Sequence, residues 1–281
     1  MIRTVRTPDG VDLHVDDQGS GARAMLLCNG LYCSTHYYDH WIDEFSRDHR
    51  VVTFDYRGHG RSADPKDPAI TLEMLVGDAQ AVLETIDGPV ILVGHSMGVR
   101  VALELAGRHE ARVHGLVLLC GSVWGVGEGR VAEAAARAAP KILKLAEKAA
   151  PLSRALRDAV VRPSWMVSVG SLLGGLAHST PKPPVEALVR NVRRLDIRTM
   201  TSIASSYAQH SARALLPGVQ VPVLQIVGAL DKLATPSHAH AVERELASCT
   251  TVVVEDCTHL APIEAPDEVN VAVRRFVAAL G

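Results

Sequence analysis

The stretch Gly94-His95-Ser96-Met97-Gly98 follows the apolar run Pro89-Val90-Ile91-Leu92-Val93 and leads into Val99-Arg100-Val101-Ala102-Leu103-Glu104-Leu105-Ala106, which reads as a helix. A serine with glycine two residues to either side, joining a buried strand to a helix, describes a strained turn that lifts the hydroxyl above the end of a sheet. The glycines are required because strand and helix nearly touch there. The five residues alone arise easily by chance, so the strand before and the helix after carry the inference. In that context Ser96 is the expected nucleophile of a hydrolytic reaction.

Working outward, further short apolar runs occur at 24–28, 51–54, 113–119, 221–227 and 250–254. They are continuous rather than alternating, as expected of strands covered on both faces. Helix-period segments at 72–86, 99–108, 238–246 and 267–280 lie between or after them. This alternation predicts an α/β fold with a mostly parallel sheet and helices on both faces. Ahead of it, Pro8-Asp9-Gly10 reads as the turn of an edge hairpin.

The rhythm breaks between residues 123 and 216. That segment holds an Ala-rich helical pattern over 131–149, prolines at Pro140, Pro151 and Pro163, a Thr180-Pro181-Lys182-Pro183-Pro184 joint, helical stretches near 185–195 and 199–214, and no convincing strand. It is expected to form an all-helical cap inserted into an α/β core made of residues 1–122 and 217–281. Such a cap belongs over the carboxyl ends of the strands, where open α/β sheets keep their ligand sites.

A serine hydroxyl needs a base within hydrogen-bond reach and a carboxylate to orient that base. Beyond the run at 221–227 comes Gly228-Ala229-Leu230-Asp231, and beyond the run at 250–254 comes Asp256-Cys257-Thr258-His259. The order Ser96, Asp231, His259 is the nucleophile, acid, base order that accompanies this kind of elbow. The rival acids are Asp256, too close to His259 in sequence to stand on another strand tip, and Glu128, inside the expected cap. His259 is chosen from thirteen histidines; His95 stands beside the nucleophile, and its geometry there points it away from the hydroxyl, toward packing or the pocket wall.

These pieces, with Asp55-Tyr56-Arg57-Gly58-His59-Gly60-Arg61-Ser62, Thr235-Pro236 and the run from His259 to Pro266 followed by Asn270, resemble the α/β-hydrolase family over essentially the whole chain. The resemblance implies an eight-stranded sheet with an antiparallel second strand and a cap after the sixth. It also implies an oxyanion hole built from two backbone N–H groups, here those of Leu31 and Met97. Some relatives place the acid after the sixth strand, but Cys120-Gly121-Ser122-Val123-Trp124 offers no carboxylate. The usual His-Gly before the second donor is Asn29-Gly30 in this chain, similar to turns of lactonases and polyester depolymerases, and Asn29 is expected to change the hydrogen bonding behind the turn and hence the shape of the way in for substrate. Tyr32, His95 and Trp124 are candidate pocket residues.

With 29 basic and 31 acidic side chains and a net charge of −2, nothing favours a nucleic-acid partner. A small-molecule acyl substrate fits better. The chain has neither a basic start followed by an apolar segment nor an apolar run of about 18 residues, so no signal peptide and no membrane span are expected. Five cysteines without CxxC pairing suit reduced thiols, with Cys28 and Cys120 as packing residues, and a cytoplasmic protein. The basic amphipathic pattern of Arg130, Arg137, Lys141, Lys144 and Lys148 reads as a solvated helix face, with contact to an anionic lipid interface as the alternative. Trp124, Trp165, Met166, Leu172, Leu173 and Leu176 read mainly as cap core, with the lining of an acyl- or ring-binding cavity as the alternative. Gly125-Val126-Gly127-Glu128-Gly129 lacks dinucleotide-binding spacing and reads as a hinge. In the stretch 55–62 no P-loop ending follows the glycines, and Asp55 is expected to pair with an arginine across a structural turn. His36 and His40, with Asp39 and Asp43, lack a third ligand in view, so no metal is expected.

The resulting expectation is a serine hydrolase that cleaves a small to medium carboxylic ester or lactone through an acyl-enzyme, requiring no metal or organic cofactor. Two enzyme alternatives share the same parts: a cofactor-free haloperoxidase-like perhydrolase and a hydrolase of carbon-carbon bonds. A third, of another class, is a hydrolase-fold ligand receptor.

Overall fold

A computed structural model describes residues 1–125, 176–177 and 180–281. Eight strands, β1 (Ile2–Arg6), β2 (Asp12–Gln18), β3 (Ala24–Cys28), β4 (Arg50–Phe54), β5 (Val90–His95), β6 (Val113–Leu119), β7 (Val223–Gly228) and β8 (Cys249–Val254), form one sheet in the order β1-β2-β4-β3-β5-β6-β7-β8. β2 runs antiparallel to β1 and β4, and every other pairing is parallel. The eight-stranded, mostly parallel sheet with an antiparallel second strand is therefore present, and β3 and β6 coincide with their sequence runs.

The continuous apolar runs acquire two faces because side chains alternate across a strand. Leu26, Leu92 and Leu116 point to one side, where they meet Leu75 of α2 (Leu72–Leu83) and Leu103 of α3 (Met97–Arg108). Leu27, Val93 and Val117 point to the other, where they join a cluster containing Trp41 of a short helix, Asp39–Phe45, and Val273 of the last helix, Pro266–Ala279. In chain order, that short helix is α1. All five cysteines are free, and burial pushes the Cys28 thiol up to about 12.

Between β6 and β7 the described residues form two helices, α4 (Lys182–Arg194) and α5 (Ile197–Gln209), and a short 3₁₀ turn at Arg213–Gly218. The expected basic helix, the hinge beyond Gly125, Glu128, and Trp165 to Leu173 lie outside the described residues; Leu176 is buried in the second cluster, as expected of core. α5 ends earlier than its periodicity predicts. The buried Arg100 guanidinium accounts for this by gathering the Tyr207 and His210 carbonyls, each at 2.5 Å, together with those of Ser122 and Trp124. Four main-chain carbonyls on one cation fix both connections of the 123–216 segment to the helix that starts at the elbow.

The turn at 55–62 is structural, but its expected internal pair is corrected. Asp55 accepts the Thr35 and Arg61 amides at 2.7 and 2.9 Å, while Arg57 reaches out of the turn to Asp78 and Asp9, each at 2.6 Å. The reason is spacing: the loop turns the Asp55 carboxylate inward onto main-chain donors, which leaves the Arg57 guanidinium aimed at α2. Asp78 is fully buried and Arg57 is 3% exposed, so desolvation makes this pair indispensable to itself. Arg57, first, holds the exposed Asp9 carboxyl down at about 2. Asp78→Ala is expected to cost about 3–5 kcal/mol by leaving a buried cation short of its partner. Urea unfolding measures this, and a loss below about 1 kcal/mol would mean that Asp9 alone satisfies Arg57.

Candidate active site

Residues beyond the carboxyl ends of several parallel strands are drawn into strained backbone. Among the described residues, the non-glycine positions with left-handed φ are Tyr32 (61°), Ser96 (55°), Cys120 (46°) and Asp256 (55°). They stand just after β3, β5, β6 and β8. Each such residue costs on the order of 1–3 kcal/mol and persists only where its surroundings over-determine it. The sheet therefore concentrates strain at one end.

At Ser96, φ 55° and ψ −116° turn the chain from β5 into α3. The Ser96 amide donates to Leu119 O at 2.9 Å and its carbonyl accepts Val99 N at 3.1 Å. The expected glycine requirement has a direct geometric cause: a Cβ on Gly98 would lie 2.1 Å from Cys28 O, and one on Gly94 would lie 2.4 Å from Gly98 O. A serine at a helix N-cap ordinarily gives its oxygen to the first-turn amides. Here there is no such bond, and Oγ lies 2.8 Å from His259 Nε2 instead.

His259 stands in the loop after β8. Its Nδ1 lies 2.9 Å from Asp231 Oδ2, and the other Asp231 oxygen accepts the Leu233 and Ala234 amides at 2.8 and 2.9 Å. Asp231 has a fully buried side chain and His259 retains slight exposure. With both Asp231 oxygens occupied, the acid is fixed, Nδ1–H is the tautomer it selects, and Nε2 is left to accept the Ser96 proton. Ser96, Asp231 and His259 are thus brought together, whereas Asp256 is not part of the chain of bonds.

Met97 directly follows the serine, and Leu31 directly follows Gly30, which packs against that serine. Met97 is the first residue of α3, so its N–H has no intrahelical acceptor. Leu31 lies in a turn closed by Cys33 N–H donating to Gly30 O at 3.1 Å. Gly30 sets this turn against the serine: a Cβ there would lie 2.8 Å from His95 Nδ1 and 3.3 Å from Ser96 Cβ.

Asn29 is fully buried and donates from Nδ2 to Phe54 O at 2.6 Å, so it ties the tips of β3 and β4 behind the Gly30 turn. His95 is 2% exposed, stacks on Tyr37 at 4.4 Å, and bonds the His259 carbonyl through Nε2 at 3.1 Å; of its two expected roles it takes the packing one, supporting His259 from behind. Trp124 is half-buried, packs its ring against His238 at 5.3 Å and lies against the main core cluster. Tyr32 remains next to the site through its backbone, while its hydroxyl donates to Met200 O of α5 at 2.8 Å.

Sequence reasoning missed Glu264. It lies in the short helix α7 (Ala261–Glu264), which follows α6 (Pro236–Glu243) and precedes α8 (Pro266–Ala279). Its carboxylate accepts Thr258 N at 2.6 Å, the Thr258 hydroxyl, the Thr180 hydroxyl and Ala177 N, bracing the loop that delivers His259. The signal was its place five residues after the base, hidden by the motif around it.

Burial, with the neighbouring His259 second, pushes His95 down from 6.5 to about 3, and burial also lowers His14, His40 and His59. Because the folded value lies below the unfolded one, this stability is complete above pH 6.5 and is lost as pH falls toward 3. The unfolding free energy is expected to decline from pH 7 to pH 4. His95→Gln, which keeps an N–H for the His259 carbonyl, should flatten that decline by up to about 1.4 kcal/mol per pH unit. Equal slopes in urea titrations of the two proteins would refute a neutral buried His95.

The alpha/beta hydrolase family profile matches residues 25–272. Among characterised relatives, the chain is 28% identical to lipase LipV of Mycobacterium tuberculosis over 94% of this chain and 97% of the lipase. It is 23% identical to 3-oxoadipate enol-lactonase 2 of Acinetobacter baylyi over 89% and 86% of the two chains. The esterase EaEST of Exiguobacterium antarcticum has a similar fold, with a TM-score of 0.81 at 19% identity over 99% of this chain and all of the esterase. An elbow serine and an ordered set of strand tips, matched along nearly the whole sequence, lead to one conclusion: this chain belongs to the alpha/beta hydrolase family.

Proposed function

We propose that the protein is a serine hydrolase that cleaves a small to medium carboxylic ester or lactone through an acyl-enzyme on Ser96. The observation that carries this reading is the bonded chain Ser96 Oγ, His259 Nε2 at 2.8 Å and His259 Nδ1 to Asp231 Oδ2 at 2.9 Å. Likeness to a lipase, an enol-lactonase and an esterase supports the bond type.

In this mechanism Ser96 Oγ attacks the acyl carbon while its proton passes to His259 Nε2, and Asp231 stabilises the imidazolium and holds the ring in place. The carbonyl oxygen becomes an oxyanion, and the Leu31 and Met97 amides receive it, aided by the positive end of α3. The tetrahedral intermediate collapses, the C–O bond to the leaving alcohol breaks, and His259 returns the proton to that oxygen. Water then gives a proton to His259, attacks the acyl carbon and releases the acid as Ser96 recovers its proton. A lactone follows the same steps, with the leaving alcohol still tethered to the acid.

In this reading the 123–216 segment acts as a cap and sets which acyl group reaches Ser96. The hydrogen bonds from Tyr32 to Met200 and from Leu72 N to Ser206 support it, because they seat α5 on the turn after β3 and on the start of α2. Substrates are small molecules; among the described residues no helix is long and apolar enough to cross a membrane.

p-Nitrophenyl esters of graded chain length provide the test. Turnover with a length optimum is expected, and Ser96→Ala should lower kcat by around 10⁶-fold if the three side chains act as a unit. Retention of most activity would refute Ser96 as nucleophile, and no turnover of any ester would favour a ligand receptor or another bond type.

A further inference from the structure

The turn that carries the Leu31 amide is gripped from outside the sheet. Tyr32, third residue of that turn, stands at φ 61°, a position where turns take glycine or asparagine. A tyrosine there costs about 1–2 kcal/mol. Asn191 of α4 donates from Nδ2 to Tyr32 O at 2.5 Å, and its Oδ1 accepts Gly60 N at 2.8 Å. One partner offers only a carbonyl and the other only an N–H, so the orientation of the amide is determined. Asn191 is 4% exposed and shares its buried helix face with Val185, Val189 and Val192. A polar side chain on such a stripe is expensive unless both of its ends are bonded, as they are.

We propose that Asn191 is a positioning residue for the oxyanion site. Its Nδ2–H holds the Tyr32 carbonyl, keeps Tyr32 in its left-handed conformation, and thereby aims the Leu31 N–H at the space above Ser96. The hydroxyl bond from Tyr32 to Met200 holds the other end of the same residue. α4 and α5 are thus part of the frame of the hole, and a movement of these helices would alter transition-state stabilisation without touching Ser96, His259 or Asp231. The inference rests on the reading of Ser96 as nucleophile and Leu31 as donor.

The test compares wild type, Ser96→Ala, Asn191→Asp and Asn191→Ser. Asn191→Asp keeps an oxygen for Gly60 N but sets an acceptor against the Tyr32 carbonyl. Asn191→Ser shortens the reach to both partners. Each protein is treated with an alkyl fluorophosphonate, and phosphonylation of Ser96 is followed by mass; kcat and KM for p-nitrophenyl butyrate are measured on the same samples. Phosphonylation needs the nucleophile and the hole but no particular substrate.

The rate constant of labelling and kcat should fall together by about 10- to 100-fold, less than the loss for a deleted donor, with KM within about threefold. Labelling should still run to completion. Rates within about twofold of wild type in either folded variant would overturn the inference, as would a raised KM with unchanged kcat, or a loss of kcat matched by an equal loss of labelled endpoint, which marks misfolding. If wild-type Ser96 takes no label, the nucleophile reading falls and this inference with it; if wild type labels and both variants label equally fast, only this inference falls.

Discussion

Everything at the site depends on the backbone of Ser96 being forced into a conformation that an L-residue avoids. That is possible because β5 and α3 approach so closely that Gly98 lies against the main chain of β3 and Gly94 against Gly98. The Ser96 amide, bonded to the end of β6, closes the alternative of relaxing outward. The consequence is chemical: a serine pinned this way cannot cap its own helix, and its hydroxyl is left to the imidazole of His259.

The same principle recurs around the site. Tyr32, Cys120 and Asp256 also hold left-handed φ at strand tips, and the first two are retained by contacts from elsewhere in the fold. Cys120 N–H donates to Ile226 O of β7 at 2.8 Å, and Tyr32 is bonded to both α4 and α5. Strain stored at one end of the sheet is opposed by a stiff, fully packed sheet beneath and by side-chain staples above: Arg100 on four carbonyls, Glu264 on the His259 loop, Asn191 on the Leu31 turn. Pre-organisation of this kind is what lets fixed amides stabilise developing charge without having to reorient.

The fold and the three bonded side chains were legible because their signals are local. Continuous apolar runs mark strands buried on both sides, and Ser96, Asp231 and His259 each stand a few residues beyond such a run. The supports were not legible, because their meaning depends on partners far along the chain. Asn191 lies 159 residues from Tyr32, and Arg100 107 residues from Tyr207; a polar residue on an apolar helix stripe was the readable trace of the first. Tertiary burial also decides the roles of Asn29 and His95: sequence proximity to the site left open whether His95 packs or borders the substrate, and burial turns both side chains inward. α1 escaped notice since its seven residues, holding three acids, a histidine and two aromatics, are too few to show helical periodicity.

The central claim is that the Ser96 hydroxyl becomes covalently bonded to the acyl group during turnover. It is tested most directly by mixing enzyme with excess p-nitrophenyl ester, quenching in acid before the steady state, and mapping the acyl mass by peptide sequencing. The account predicts one acyl group per chain, on the peptide containing Ser96, formed in step with a burst of p-nitrophenol and absent from Ser96→Ala. Rapid turnover in which no acyl adduct forms, or in which the acyl group sits on another residue, would contradict it.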